Sequence, residues 1–340
     1  MKVGMYYNNK DVRIEERPVP KIGNRDLLLE VMNCGICGSD IMEWYRIKKA
    51  PLVLGHELTG KVIQTGKEII EYKIGDRVFA THHVPCEECN YCQTGHETAC
   101  DVFQIKNNFC LGGFSQYLRV SGKSVETGIL KLPEEVSYEQ GTFIEPLGTV
   151  VRGLRTIGLK RGESVLILGA GVAGLLNIKL AKALGAGRII ATDVSNYRLE
   201  AARKAGAEYV INANENVPAS LKEVNNGLVN KVIICTGALQ AAKQALKSVD
   251  KGGTVMFFAV PKPEETLDVD FNYYWRNDIS FKTTYGASPS DNKTALEYIK
   301  SRNIEVDDLI THRLDLENIA LGFSLATEGD CLKVLIKTNK

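Results

Sequence analysis

The chain of 340 residues sets 42 Lys and Arg against 41 Asp and Glu, a net charge of +1, and is 44% hydrophobic. With no basic block, a nucleic acid has no electrostatic foothold, and a small-molecule partner is expected instead. The longest uncharged apolar stretch, Val165 to Ile178, holds three glycines and falls short of the roughly twenty residues a membrane helix needs. The first residues show no apolar leader core behind a basic start. A cytoplasmic protein off the membrane is expected, and there its nine cysteines do not persist as disulfides.

From Met1 to about Leu147 the runs "DLLLEVMNC", "LTGKVIQTG" and "GDRVFA", broken by Gly, Pro and Asn, predict a β-rich module. Within it "NCGICGSD" supplies Cys37 and Ser39, and "PLVLGHELTG" supplies His56 and Glu57. Next comes "CEECNYCQTGHETAC", which places Cys86, Cys89, Cys92 and Cys100 in the spacing C-x2-C-x2-C-x7-C. Four thiolates around one tetrahedral ion leave no position open for substrate, so the lobe over about residues 83–102 predicts a structural zinc. His82, His83 and His96 lie close by and read as loop residues, because four sulfurs already complete the tetrahedron.

Glu145 of "FIEPLGTV" sits in an otherwise apolar stretch, where an ionised group must find a partner or take up a proton. One thiolate (Cys37), one imidazole (His56) and one or two carboxylates (Glu57, Glu145) make the donor set of a catalytic zinc that keeps a position open. The pieces are far apart in sequence, so the pattern alone leaves this assembly undecided.

From Thr149 the texture changes to alternating strands and helices: "ESVLIL", "VAGLLNIKLAKALGA", "RIIATDV", "NYRLEAARKAGA", "EYVINA". This rhythm predicts a parallel sheet covered by helices, over about residues 149–284. "VLILGAGVAGLL" gives Gly169, Gly171 and Gly174 between strand and helix, with Val172 and Ala173 inside the turn. Such a turn brings free amides to a pyrophosphate. Asp193 ends the next strand, nineteen residues beyond Gly174, where a carboxylate accepts from ribose hydroxyls and repels a 2'-phosphate. NAD is therefore expected over NADP, although Arg198 could meet such a phosphate. Thr236, after "NKVIIC", completes the expected cofactor contacts. Beyond Tyr285 lie a helical segment, "DNKTALEYIKSRN", and a strand-like "CLKVLIKTN"; texture alone does not say which domain these join.

"GHELTGKVIQTGKEI" aligns Gly55, His56, Glu57, Gly60 and Gly66 with a known signature. Together with "CGICGSD", the four-cysteine lobe, "GGFSQY", "EPL" and "GAGVAG", it resembles the zinc-dependent medium-chain alcohol dehydrogenases over nearly the whole chain. Within them it is most similar to the sorbitol (L-iditol) and threonine dehydrogenase branch, because Glu145 stands where alcohol dehydrogenases carry a cysteine.

The resemblance implies an α/β protein: a GroES-like catalytic domain over 1–148, a Rossmann doubly wound parallel-sheet domain over 149–284, and a return of 285–340 to the catalytic domain. It also implies two Zn2+ ions per subunit, one catalytic on Cys37, His56 and a glutamate (Glu57 or Glu145) and one structural, together with NAD and a dimer or tetramer of identical chains. The expected reaction passes hydride from a secondary hydroxyl of a polyol or sugar alcohol to NAD and leaves a ketone, since a Lewis acid brings a hydroxyl's proton within reach of neutral pH. Tyr45, Arg152 and Glu145 are candidate polar contacts for such a substrate. The alternatives are a threonine-type or simple secondary-alcohol dehydrogenase and, more remotely, a non-catalytic NAD(H)-binding zinc protein.

Ser39 matches the family's proton-accepting hydroxyl, with capping of a helix over "SDIMEWY" as its other reading. Met42 stands where relatives carry a relay histidine. A thioether moves no protons, so the proton is expected to leave through ribose hydroxyls and water.

Overall fold

A computed structural model describes residues 1–105, 109–329 and 331–339. The chain divides into two compact units, Met1–Gly148 with Ala287–Lys340, and Thr149–Gly286.

The first unit is built on a seven-stranded sheet. Its path runs Ile310–Asp315, Lys333–Lys337, Leu27–Gly35, Glu57–Thr65, Arg77–Ala80 and Ile129–Lys131, and Tyr117–Val120 also pairs with Leu27–Gly35. All pairs are antiparallel except Ile310–Asp315 with Lys333–Lys337. The last strand of the chain thus lies against the strand that leads to Cys37. A smaller sheet of Asp11–Glu16, Lys2–Asn8 and Leu52–Val53 packs nearby, and one core joins Val3, Tyr6, Leu29, Leu58, Phe114 and Phe323.

The second unit is a six-stranded, wholly parallel sheet ordered Tyr209–Asn212, Ile189–Asp193, Val165–Leu168, Val229–Ile234, Val249–Phe257 and Ser280–Thr283. Numbered along the chain this order is 3-2-1-4-5-6, the doubly wound arrangement. Val165, Leu166, Ile167 and Leu168 are all fully buried, as a central strand covered on both faces requires. Each such side chain contributes about 1.5–3 kcal/mol relative to exposure.

Helix Ile144–Thr156 is not signalled by the sequence pattern, because Pro146 and Gly148 depress helix propensity near its start; a proline is tolerated in the first turn, where its missing N–H costs no helical bond. Among the described residues, no helix is long and apolar enough to cross a membrane.

Candidate active site

Strand register assembles the first cluster. Gly35 pairs with Glu57 and Cys34 with Leu58, so the turn that follows Gly35 and the residues that precede Glu57 meet at one end of the sheet. There a sulfur of Cys37, a ring nitrogen of His56 and a carboxylate oxygen of Glu57 all lie within 4.8 Å of one another. Donors around one tetrahedral zinc sit roughly 3.3–3.8 Å apart, so small side-chain adjustments fit these three to an ion. The set leaves a fourth position to be filled from outside.

Asp40, fully buried, organises the cluster. Its Oδ2 accepts the Cys37 backbone N–H at 3.0 Å, and its Oδ1 lies 3.5 Å from His56 Nδ1 and 3.6 Å from Arg46 Nη2. With Nδ1 facing Asp40, His56 has Nε2 for an ion, the usual way a supporting carboxylate fixes a ligand imidazole. Burial works against charge on His56, but the Asp40 carboxylate and Cys37 sulfur outweigh it and hold its pKa well above the ordinary value. Burial likewise opposes the Asp40 charge, and the neighbouring His56 and Arg46 still bring its pKa down. These anions favour a cation between them, which is the condition for holding a metal.

The carboxylates of Glu57 and Glu145 differ in their settings. Glu57 is 1% exposed and accepts from Lys333 Nζ at 2.5 Å, while Lys333 also donates to the Ile36 carbonyl at 3.2 Å. Lys333 therefore holds the Glu57 carboxylate in place through Oε2. Glu145 stands outside that cluster. Burial pushes its carboxyl up to about 7, with His56 and Lys333 pulling down and Glu57 and Asp40 pushing up.

Ser39 does not cap a helix. The short helix begins at Glu43 after Met42, without a side-chain cap, and Ser39 lies three residues ahead of Met42 in a turn. The Ser39 hydroxyl lies 3.4 Å from Cys37 Sγ and accepts from Arg46 Nη2 at 3.0 Å, while Arg46 Nε donates to the Ser39 carbonyl at 2.9 Å. Asp40, Arg46 and Lys333 are the members that sequence reasoning missed. The signal for Lys333 was a lone cation in the apolar run "CLKVLI"; Arg46 left none. His82 and His83 lie in a loop, outside both donor clusters, and that loop comes close to the first: the His82 ring centroid is 5.6 Å from that of His56 and 3.7 Å from that of His83, which stacks on Phe103 at 5.2 Å.

The second cluster joins Cys86, Cys89, Cys92 and Cys100, with one sulfur from each within 4.8 Å of the others. No cysteine is in a disulfide. Burial opposes ionisation of Cys100, but backbone N–H groups of Cys86, Phe103 and Val102 lower its pKa. Cys92 is pushed up by burial and by its hydrogen bonding with Cys89. Crowded thiols that include one acidic member suit a thiophilic cation.

In the second unit the glycine turn joins strand Val165–Leu168 to helix Val172–Ala183. Gly169 adopts φ +96°, and a Cβ on Gly174 would lie 1.9 Å from the Gly169 carbonyl oxygen. No protein atom lies within 4 Å of where a Gly171 Cβ would project, and Gly171 gives the helix no side-chain cap. Free amides at Val172 and Ala173 beside this open face make a cradle for a pyrophosphate. Asp193, 7% exposed, accepts from Ala170 N at 2.8 Å and Ser195 N at 3.0 Å, so it also fastens the turn. Ser195 caps the helix that carries Arg198, and Thr236 Oγ1 accepts from Ala238 N. Arg152 is buried on its helix.

Residues 23–134 match the alcohol dehydrogenase GroES-like domain, and residues 172–301 match the zinc-binding dehydrogenase family. The sorbitol dehydrogenase of Bacillus subtilis is 31% identical, covering 100% of this chain and 98% of its own. The L-threonine 3-dehydrogenase of Bacillus velezensis is also 31% identical, over 95% of this chain and 94% of its own. The solved alcohol dehydrogenase of Thermus sp. ATN1 superposes with a TM-score of 0.89 at 28% identity, covering both chains fully. The chain is an oxidoreductase acting on CH–OH groups and belongs to the zinc-dependent medium-chain dehydrogenases, in the branch of the sorbitol and threonine dehydrogenases.

Proposed function

We propose that this dehydrogenase oxidises a secondary hydroxyl of a polyol or sugar alcohol to a ketone with NAD as hydride acceptor, using one catalytic and one structural zinc per chain. The observation that carries the reading is the convergence of Cys37, His56 and Glu57 donors within 4.8 Å. Cys37, His56 and Glu57 would hold the catalytic ion, and Cys86, Cys89, Cys92 and Cys100 the structural one. A zinc ion bound at the first site supplies Lewis acidity, lowering the pKa of a coordinated hydroxyl.

The residues of the chain do the rest. Asp40 fixes the His56 ring, and Lys333 balances the charge of Glu57. Arg46 donates to Ser39 Oγ and the Ser39 hydroxyl donates to Cys37 Sγ, which leaves one Oγ lone pair of Ser39 to accept from a substrate hydroxyl. NAD, held by the glycine turn and Asp193, would accept the hydride of the carbinol carbon, and the hydroxyl proton would leave to solvent. The Gly169 to Gly174 turn would seat the pyrophosphate, and Asp193 favours NAD because its carboxylate repels a 2'-phosphate. Glu145, outside the donor cluster, would serve as an outer carboxyl beside the ion.

The second reading is a threonine-type dehydrogenase with the same machinery, favoured by the Arg46 guanidinium placed against Ser39. A homo-oligomer, as the family resemblance implies, belongs to the same reading, and nine free thiols suit a reducing cytoplasm.

The test is a metal count on wild type and Cys37→Ala. Two zincs per chain should fall to one, with NAD-dependent oxidation lost and the circular dichroism spectrum retained. A wild-type count below two, or activity surviving in the variant, refutes the assignment.

A further inference from the structure

The segment that carries Ser39, Asp40 and Arg46 has little regular structure to hold it in place. Residues 38–40 form a turn, and the helix Glu43–Arg46 has four residues, no side-chain cap, and only a 3-10 turn over Ile47–Lys49 to continue it. So short a helix is not stable by itself in water. Arg46 at its end nevertheless stays aimed at Ser39, with Nε donating to the carbonyl at 2.9 Å and Nη2 to Oγ at 3.0 Å.

The restraint comes from Asn9, at the tip of the hairpin between strands Lys2–Asn8 and Asp11–Glu16. Its Nδ2 donates to the Ile41 carbonyl at 2.8 Å and its backbone N–H to Glu43 Oε1 at 3.0 Å, so it grips the chain on both sides of Met42. Its Oδ1 accepts from the Tyr6 hydroxyl at 2.8 Å. Tyr6 is fully buried, with its ring centroid 5.7 Å from that of Phe323, and this anchors the grip in the core. An asparagine at a hairpin tip ordinarily serves the turn itself. Here Asn8 does that, its Oδ1 accepting the amide of Lys10 at 2.9 Å, while Asn9 directs both of these donors outside the hairpin.

Resting on the dehydrogenase reading above, we propose that Asn9 is a positioning residue of the reaction: from the tip of the N-terminal hairpin it braces the segment that sets Ser39 and Asp40 against the ligand cluster. The line of contact runs from Asn9 to Ile41 and Glu43, along the short helix to Arg46, and from Arg46 to Ser39 and Asp40. Asp40 then holds the Cys37 amide and faces His56. A misplacement of about 1 Å caused far from the chemistry can lower a rate about a hundredfold, so slack at Asn9 is felt where Ser39 meets the reacting hydroxyl.

The experiment uses the zinc-loaded full chain with NAD and whichever of a hexitol and a secondary butanol the wild type oxidises. Asn9→Ala and Glu43→Ala are each expected to lower kcat at least about tenfold, with the KM for NAD within about twofold of wild type. Asn9→Asp has the same shape but no hydrogen for the Ile41 carbonyl, and should behave as Asn9→Ala does. Asn8→Ala disturbs the hairpin tip alone and should leave kcat within about twofold. Glu43→Ala releases the same brace from its exposed end, so it carries the test should Asn9→Ala fail to fold.

A second readout needs no turnover. Trp44 lies on the braced helix, and Trp275→Phe leaves it the sole tryptophan. In that background, acrylamide quenching of Trp44 emission should strengthen at least about twofold on adding Asn9→Ala or Glu43→Ala, and stay unchanged on adding Asn8→Ala. Wild-type kcat in Asn9→Ala and Glu43→Ala, an equal fall in Asn8→Ala, or unchanged Trp44 quenching overturns the inference and leaves the dehydrogenase reading standing. A wild type that oxidises neither alcohol overturns the proposed substrate class, and the Trp44 measurement then decides the brace by itself.

Discussion

Lys333 and Glu57, 276 residues apart in sequence, form a fully enclosed ion pair at 2.5 Å, with both side chains at most 3% exposed. The pair ties the last strand of the chain to the strand that opens with Glu57, the third of the candidate metal donors. Removing one partner of such a pair leaves a bare buried charge, which costs about 3–5 kcal/mol. Lys333→Met is therefore expected to melt well below wild type and to lose zinc to a weak chelator at lower concentration, because Glu57 is no longer held. Lys333→Arg should recover part of both. Thermal denaturation and zinc retention against chelator check this, and a Lys333→Met protein with unchanged melting and unchanged zinc affinity would contradict it.

Asp193 has two tasks. Its oxygens accept the amides of Ala170 and Ser195, and in the proposed function its charge selects NAD over NADP. Asp193→Ala should lose about 1–3 kcal/mol of stability from two unpaired amides. It should also raise the KM for NAD and move the NADP to NAD ratio of kcat/KM upward, as the repulsion of a 2'-phosphate disappears. Asp193→Asn removes the charge but keeps an acceptor for only one of the two amides, because each bonds a different oxygen, so it too should lose stability while the cofactor ratio reads the charge. A preference for NAD that survives in Asp193→Asn would show that the carboxylate does not set it.

Much of this was legible before any coordinates. The glycine turn and the four-cysteine spacing are local patterns, carried by neighbours in sequence, so Gly169, Gly174 and Cys86 to Cys100 could be named from the chain alone. The strand runs and the parallel sheet also followed from hydrophobic texture, while the doubly wound strand order came only with the family resemblance. The first metal cluster was readable only as separate pieces, because its assembly depends on the register that sets Gly35 opposite Glu57. Lys333 was out of reach for the same reason: a lone lysine in a strand announces that it needs a partner, not which of many glutamates supplies it. The same holds for Asp40, quoted within the "CGSD" motif yet given no role, whose contacts with His56 and Arg46 arise from the fold of a turn. The two candidate glutamates, equivalent in sequence, are distinguished by a hydrogen bond on one and desolvation on the other.

The cysteine lobe gives a prediction of metal-dependent stability. Cys86 N donates to Cys100 Sγ at 3.4 Å, and the two residues close the lobe. With Cys100→Ser the sulfur ligand is gone, and a structural ion supplies folding free energy to its surroundings. The variant should bind one zinc fewer, and proteolysis should cut first within residues 86–100, while the catalytic ion stays resistant to mild chelation. A variant retaining two zincs, or cut first elsewhere, would count against a structural site here.

His83 makes the pH dependence testable. Burial, aided by the charges of His56, Arg46 and Lys49, holds its pKa at about 4 against the usual 6.5. The folded protein therefore favours the neutral ring, while the unfolded chain takes up a proton near 6.5. Stability from this group is fully present above pH 6.5 and is lost as pH falls from 6.5 through about 4. The gap corresponds to at most about 3 kcal/mol at the acid end. In His83→Phe the aromatic packing against Phe103, now 5.2 Å between ring centroids, can persist without a titrating nitrogen. Denaturant unfolding at pH 7 and pH 4.5 should show wild type losing more stability on acidification than the variant by about 2 kcal/mol. Zinc lost from thiolates in acid affects both proteins alike, so the difference between them isolates the imidazole; equal losses would show that His83 does not titrate across the folding transition.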